Sequence, residues 1–444
     1  MSVSVLPTPW GTGFPPGPLL RTVDELDDPG LRQETVLRLP TARVVFADYA
    51  LLRHDFPHLR EADAALIDRW LLRHAAFIST AQAAQSRVNT PIETGEERTV
   101  AYRPTRYGRA VVVSTRESHG LLPADPALPW EAEPDRLLDL KGTGVAPGVV
   151  PRHDPGGHFD GLISLQRVLI EVLFQEVIEA AFRHSGSGFS TVPAYAVLDL
   201  GFEIVWEDGR TFPAGMQVRR AHRRPPNNEE VPPPGTPEER LKMEVELLLR
   251  RYGITSCTEA LSVEMIDGEE GTALTFARRN LPRWSEEAFR AVREGFGIPR
   301  GGRIRFEGVN VQLTREVGLD PLRAQLVDFG HFSRRDRFDS PVVTFVDGPV
   351  AFPLGWGRIL WPHEAGFVQP DPALLLPDEH WGRPVRPDEA ETIRQAPPGI
   401  AHSRACLAVA GLVPRYRAGE LSGEEVRAGI GEVAATATAR WPRA

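Results

Sequence analysis

The chain has 444 residues and a net charge of −9 at pH 7, and 41% of its residues are hydrophobic. This is the composition of a globular protein with a substantial core, and the negative charge with dispersed arginines argues against a nucleic-acid partner. Its 51 basic residues include only two lysines, Lys141 and Lys242. A lysine here can therefore mark a position that needs a compact ammonium group.

Cysteine content and hydropathy limit the protein class further. The two cysteines, Cys257 and Cys406, cannot form a disulfide framework or a four-cysteine zinc site, which fits a reducing compartment. No apolar run approaches the length of a membrane span, and the first residues do not have the pattern of a signal peptide. We therefore expect a cytoplasmic protein without a membrane partner.

Hydrophobic periodicity predicts both helices and strands. The predicted helices span residues 59–85, 160–182 and 237–251. The predicted strands span 99–103, 109–114 and 137–141, followed by a hairpin with strands 202–206 and 216–220 around a turn at 207–210. Pro- and Gly-rich connections are expected up to residue 18 and over 121–134 and 223–239. The pattern favours an α+β fold with two lobes and a largely helical second half.

Lys141, one of the two lysines, ends a predicted strand. Lys141 follows Leu137–Leu140 and precedes a glycine-rich turn that contains Gly142 and Gly144. In protein kinases a strand lysine pairs with a glutamate on the following helix and contacts nucleotide phosphates. Here the predicted helix 160–182 offers Glu171, with Glu176 as the second candidate.

A simpler interpretation of that helix stays open. Arg167, Glu171 and Gln175 recur at intervals of four, so they can form an ordinary polar stripe on an apolar helix. The glycine run alone is weak evidence, since it lacks the lysine and hydroxyl residue that end a Walker A loop.

A second hairpin is predicted over residues 309–330. Asn310 opens its first strand, and Asp328 ends the return strand in the tripeptide Asp-Phe-Gly. In kinases an asparagine and such an aspartate hold the Mg²⁺ bound to the nucleotide. The order Lys141, Glu171, Asn310, Asp328 is the informative feature, because each member alone is common.

Basic residues also cluster where the first hairpin ends. Arg219, Arg220, Arg223 and Arg224 lie at the end of the second strand. Arginines at a strand end can clamp a phosphate through paired donors, and they can equally form a solvated basic turn. Both interpretations stay open at this stage.

Taken in order, these segments resemble the selenoprotein O family. The resemblance rests on LLDLKGTGVAP, on the helix that carries Glu171, on the strand with MQVRRA, on Tyr107-Gly108-Arg109-Ala110, and on Val309-Asn310 with VDFG. It covers about half of the chain, from residue 102 to 332. It implies a protein-kinase-like fold that binds ATP in a flipped orientation and transfers AMP to protein hydroxyls.

The resemblance also implies roles for individual residues. Lys141 and Glu171 would form the ion pair, and Asn310 and Asp328 would bind Mg²⁺ or Mn²⁺. The nucleotide contacts would come from the glycine turn and from the arginines, namely Arg109, Gly142, Gly144, Arg219 and Arg223. The implied division is an N-terminal extension over 1–90, an N-lobe over 91–220, and over 221–444 a C-lobe with the metal-binding hairpin and a helical C-terminal region.

Several positions depart from the family pattern. The family has an aspartate, proposed as the base, immediately before the metal-binding asparagine, whereas this chain has Val309. The nearest upstream carboxylate, Glu307, is our candidate for that base. Tyr107 replaces another expected aspartate, the turn between Asn310 and Asp328 is longer, and no cysteine lies near the C-terminal Trp441.

The resulting prediction is an ATP- and Mg²⁺-dependent transferase that moves AMP to a hydroxyl of a protein or peptide. One alternative is a kinase for a peptide or small molecule in a bacterial biosynthetic pathway. The other is a pseudokinase-like scaffold that binds nucleotide without turnover, which the loss of the aspartate at Val309 favours.

Overall fold

The structure is a computed structural model. It describes residues 19–26, 28–104, 108–116, 135–152, 160–185, 190–206, 209–223 and 408–438, together with the backbone of seven short strands between 254 and 334. The predicted helix 237–251 and the proline- and glycine-rich connections, apart from Arg223, lie outside these residues.

The described residues of the first half of the chain include nine strands. They are β1 (Arg32–Arg38), β2 (Arg43–Ala47), β3 (Phe77–Ser79), β4 (Arg98–Arg103), β5 (Ala110–Ser114), β6 (Leu137–Lys141), β7 (Ser190–Thr191), β8 (Ala194–Val205) and β9 (Thr211–Arg220). All except β7 form one antiparallel sheet in the spatial order β2-β8-β9-β6-β5-β4-β1-β3.

The described helices come from both halves of the chain. They are α1 (Tyr49–Asp55), α2 (Ala64–Ala75), α3 (Thr80–Ala83), α4 (Leu165–Ser185), α5 (Leu412–Arg417) and α6 (Gly423–Thr438), with 3-10 turns at Val23–Leu26 and Pro57–Leu59. A mostly antiparallel sheet with helices outside it is an α+β arrangement, so this level of the prediction is confirmed.

The remaining strands are short. They are β10 (Ile254–Ser256), β11 (Ser262–Gly268), β12 (Gly271–Phe276), β13 (Ile304–Glu307), β14 (Thr314–Arg315), β15 (Ala324–Leu326) and β16 (Phe332–Arg334). The described parts of the second half thus contain strands as well as α5 and α6. Within the predicted hairpin 309–330, β14 pairs antiparallel with β15, with Thr314 opposite Gln325, and the rest of the predicted first strand lies outside the described residues.

One side of the large sheet carries the main hydrophobic core. Leu138 and Leu140 of β6 and Met216 and Val218 of β9 are buried there together with Trp70 of α2. We call this the core face. Because side chains alternate along a strand, Asp139 between the two leucines and Gln217 between the two β9 residues point to the opposite side.

We call that opposite side the site face and define it by Asp139 and Lys141 on β6 and Gln217 and Arg219 on β9. Helix α4 packs over β8 and β9. The helix begins close to the sheet, since a Cβ at Gly215 would lie 2.7 Å from the Cα of Leu165. Helix α6 packs against α4 and β2.

The first predicted helix is wrong in one respect. Instead of one helix over 59–85, α2 is followed by strand β3 and the short α3. The Asp63 carboxylate caps α2 by accepting from the backbone N–H of Leu66 at 2.8 Å. After Ala75 the chain extends because Phe77–Ser79 pairs with β1, and this tertiary pairing overrides the helical spacing of Phe77 and Ile78.

The other early elements agree with the sequence. Strands β4, β5 and β6 lie where they were predicted, and helix α4 overlaps the helix predicted over 160–182 but begins at Leu165 and ends at Ser185. The hairpin β8–β9 is longer than expected, with Val205 opposite Thr211 next to the turn. The N-terminal segment before residue 91 contributes β1, β2 and β3 to the same sheet, and the division into lobes stays a prediction.

Candidate functional site

A buried ion pair connects the site face to α4. The Lys141 Nζ lies 2.6 Å from the Glu171 Oε2, and both side chains are buried. Lys141 is the last residue of β6 and stands between Ala110 on β5 and Gln217 on β9. The two residues that the sequence paired are therefore in direct contact. Glu176, the second candidate from the sequence, is only partly buried.

The polar stripe on α4 faces inward. Arg167, Glu171, Gln175 and Glu179 are all buried. Glu179 accepts hydrogen bonds from the backbone N–H of Thr191 at 2.7 Å and from its hydroxyl at 2.9 Å, and the Gln175 amide donates to the same hydroxyl at 2.8 Å. The stripe is thus an internal hydrogen-bonding surface of α4.

The same contacts tie α4 to the strand before Asp328. Thr191 lies in β7, and β7 pairs in parallel with β15, with Leu326 opposite Thr191. Strand β15 is the return strand of the predicted metal-binding hairpin. Asp328 itself follows two residues later and lies outside the described residues.

The glycine-rich turn after Lys141 has a backbone that only glycine adopts easily. Gly142 and Gly144 have φ values of +111° and +100°. A Cβ at Gly142 would lie 2.6 Å from the carbonyl oxygen of Gly215. The Gly142 N–H donates to the Arg109 carbonyl and the Gly144 N–H to the Gly161 carbonyl, so these two amides shape the turn within the protein.

Arg109 lies beside this turn next to an acidic residue that the sequence did not single out. Its guanidinium donates to the Leu162 carbonyl at 3.2 Å. Asp160 is buried, and burial raises the pKa of its carboxyl to about 6. The positive charges of Arg109 and Arg167 lower this pKa, but burial has the larger effect. The only signal for Asp160 was its place as the first residue of the predicted helix 160–182, whereas helix α4 begins at Leu165.

A second buried ion pair lies on the site face. Asp139 is directly opposite Arg219 in the β6–β9 register, and its Oδ2 lies 3.1 Å from the Arg219 Nη2. The His222 Nδ1 lies 3.5 Å from the same oxygen. Asp139 was missed, although an aspartate two residues before Lys141 in an apolar strand was a usable signal, because both residues must share one face.

The neighbouring arginine points to the core face. Arg220 Nη2 lies 2.6 Å from the Asp55 Oδ2, and the Tyr195 hydroxyl donates to the same oxygen at 2.6 Å. The sequence grouped Arg219 with Arg220, but strand alternation separates them. Only Arg219 shares a face with Lys141.

The remaining predicted residues are distributed as follows. Arg223 is partly buried, and its Nε donates to the backbone carbonyl of Glu25 in the first 3-10 turn. Glu307 ends β13 opposite Ser262, and only its backbone is described. Asn310, Asp328 and Arg224 lie outside the described residues.

Within the described residues, no group of three or more His, Cys, Asp or Glu side chains is placed to hold a metal ion. None of the helices described is long and apolar enough to cross a membrane.

The chain was also compared with known proteins. No protein-family model matches it, and no curated protein matches it.

Proposed function

We propose that this protein is an ATP-dependent transferase of protein-kinase-like fold that moves AMP to a hydroxyl group of a protein or peptide. The observation that carries the proposal is the buried contact between Lys141 and Glu171. In kinases the lysine lies on the third strand of the N-lobe and the glutamate on the helix that follows. Here β4, β5 and β6 run as an antiparallel series with Lys141 on the third strand, and α4 follows.

The charges of the site face suit a polyphosphate. Lys141 and Arg219 present one ammonium and one guanidinium on the same face, and Arg109 lies at the adjoining turn. Transfer from a nucleotide depends mainly on positioning the phosphates and on neutralising the negative charge that develops. Fixed, buried cations serve that purpose because they need no reorganisation during the reaction.

The proposed reaction forms one bond and breaks one. The acceptor hydroxyl oxygen attacks the α-phosphorus of ATP, the bond from that phosphorus to the bridging oxygen breaks, and pyrophosphate leaves. The hydroxyl proton passes to a base, for which Glu307 is the candidate, or to solvent. Phosphate transfer differs only in that the γ-phosphorus is attacked and ADP leaves.

The metal would be held by residues beyond the described part of the site. Asn310 and Asp328 supply oxygen donors of the type that Mg²⁺ prefers, and the metal bound there would neutralise phosphate charge. Strand β15, which precedes Asp328, is joined through β7 to Gln175 and Glu179 on the helix of Glu171. This connection supports placing the metal ligands near the ion pair.

The direct test is the intact mass of the products after incubation with Mg·ATP and acceptor proteins. The proposal predicts an adduct with the mass of AMP on the acceptor or on the protein itself, and none with Asp328→Ala. An adduct with the mass of phosphate would support the kinase alternative. The absence of either adduct, together with no detectable Mg·ATP binding, would remove the enzyme hypothesis.

One feature favours a second candidate function. Val309 stands where the resembling family has its proposed base, so the chain can bind nucleotide and lack turnover. A scaffold of this type would bind Mg·ATP, lose binding in Lys141→Ala, and give no adduct. Glu307→Gln would lower turnover in an enzyme that uses Glu307 as its base, whereas a scaffold gives no adduct with either residue at position 307.

A further inference from the structure

We propose that Asp139 is a positioning residue that fixes the guanidinium of Arg219 for the terminal phosphates of the nucleotide. The inference rests on the proposed function, because it assigns a task within the same site. It concerns a residue that the sequence motifs did not contain.

The first step is the geometry of the site face. Asp139 and Lys141 alternate onto the same side of β6, and they face Arg219 and Gln217 respectively on β9. Residues two apart on a strand are separated by about 7 Å and direct cross-strand neighbours by about 5 Å. Lys141 and Arg219 therefore lie at diagonal corners of the rectangle that these four residues form. From there the two long cationic side chains can reach different phosphates of one bound nucleotide.

The second step concerns how each cation is held. Glu171 contacts Lys141 from α4 at 2.6 Å, and Asp139 contacts Arg219 from the adjacent strand at 3.1 Å. A guanidinium carries five donors in a rigid plane, so a carboxylate that takes one of them fixes the direction of the others. Asp139 thus has the same relation to Arg219 that Glu171 has to Lys141.

The Asp139–Arg219 pair is not explained by stability alone. A buried ion pair can often be replaced by apolar residues without loss of stability, because removing two charges from water costs about as much as their attraction returns. The Asp139 side chain is fully buried and that of Arg219 is 3% exposed. Stability alone therefore gives little reason for two ion pairs side by side, whereas a task that needs an oriented cation does.

The adjacent pair on the core face provides an internal contrast. Asp55 binds Arg220 and the Tyr195 hydroxyl at 2.6 Å each, among the aromatic rings of the hydrophobic core. This pair has the same residue types and comparable burial, and its Arg220 follows Arg219 directly in sequence. It faces away from Lys141, so it is a matched structural control.

The experiment measures the affinities of full-length protein for ATP and AMP by calorimetry with Mg²⁺ present. In Asp139→Asn we expect the ATP affinity to fall about tenfold, because a misdirected Arg219 loses one charge-assisted hydrogen bond to a terminal phosphate. We expect the AMP affinity to change less than about twofold. Asp55→Asn should leave both affinities unchanged. The ratio of ATP to AMP affinity is the decisive readout, because a general structural defect weakens both nucleotides equally.

The outcomes separate the two levels of the proposal. If wild-type protein binds neither nucleotide, the proposed function itself fails. If wild-type protein binds ATP and Asp139→Asn keeps the same ratio of affinities, the positioning role is wrong and the proposed function stands. Should Asp139→Asn fail to fold, Asp139→Glu gives the answer, since moving the carboxylate by one methylene lowers the ratio only if Asp139 directs Arg219.

Discussion

Neutralising Glu171 while keeping its shape tests the buried contact on which the site is built. In Glu171→Gln the carboxylate is lost, and the buried Lys141 ammonium loses the negative charge that lies 2.6 Å from its Nζ. The Lys141 side chain is 7% exposed and that of Glu171 is 2% exposed, so water cannot screen the change. Breaking a buried pair by removing one partner costs about 3–5 kcal/mol, and we expect a loss of unfolding free energy in that range.

A surface ion pair of the same protein is the matched control. Arg415 and Glu420 lie 3.6 Å apart, and both side chains are more than half exposed. Exposed pairs contribute about 0–1 kcal/mol, so Glu420→Gln should change the stability by no more than that. Both variants are measured by urea unfolding at constant pH, with the m-value checked for two-state behaviour.

A double variant separates burial of charge from packing. Lys141→Met with Glu171→Leu removes both charges and keeps the volume, and it should recover at least most of the stability that Glu171→Gln loses. If Glu171→Gln costs no more than Glu420→Gln, the Lys141–Glu171 contact is not a desolvated ion pair, and the reasoning about the site is refuted.

Three further variants probe other parts of the molecule. Gly142→Ala should destabilise the protein by about 1–3 kcal/mol in urea unfolding, and more than Gly148→Ala, because both have positive φ but only the Cβ at Gly142 meets neighbouring atoms. In wild-type protein the raised pKa of the Asp160 carboxyl makes its contribution to stability complete below about pH 4, and this contribution is lost as the pH rises to about 6. Asp160→Asn should lack this decline, which is worth up to about 3 kcal/mol. Identical pH profiles of stability for the two proteins would contradict this expectation. Tyr195→Phe should cost about 1–2 kcal/mol by removing the hydroxyl that donates to Asp55, with ATP affinity unchanged, and a loss of ATP affinity would contradict the separation of the two faces.

The sequence predicts local elements well where pattern and pairing agree. Strands β4, β5 and β6 and helix α4 follow from periodicity, and the contact of Lys141 with Glu171 follows from kinase-like spacing. The helix predicted over 59–85 is wrong, because Phe77–Ser79 pairs with β1, and nothing in a local pattern reports that pairing.

The charged neighbours of Lys141 show a different limit. Strand alternation alone would have placed Asp139 on the same face as Lys141 and separated Arg219 from Arg220. It could not reveal that Asp139 lies directly opposite Arg219, since the register between β6 and β9 depends on how the chain returns to the sheet after helix α4 and strands β7 and β8. Nor could it indicate the burial of Asp160, which depends on how the segment before α4 packs.

The most direct test of the central claim uses the fact that the chain has only two lysines. An ATP analogue with a reactive acyl group on its terminal phosphate acylates lysines that lie beside bound phosphates, and peptide mass mapping identifies the modified residue. The account predicts labelling of Lys141 that excess Mg·ATP blocks, with Lys242 unprotected. Labelling of Lys141 that is absent, or that Mg·ATP does not reduce, would contradict a nucleotide site at Lys141 and Glu171.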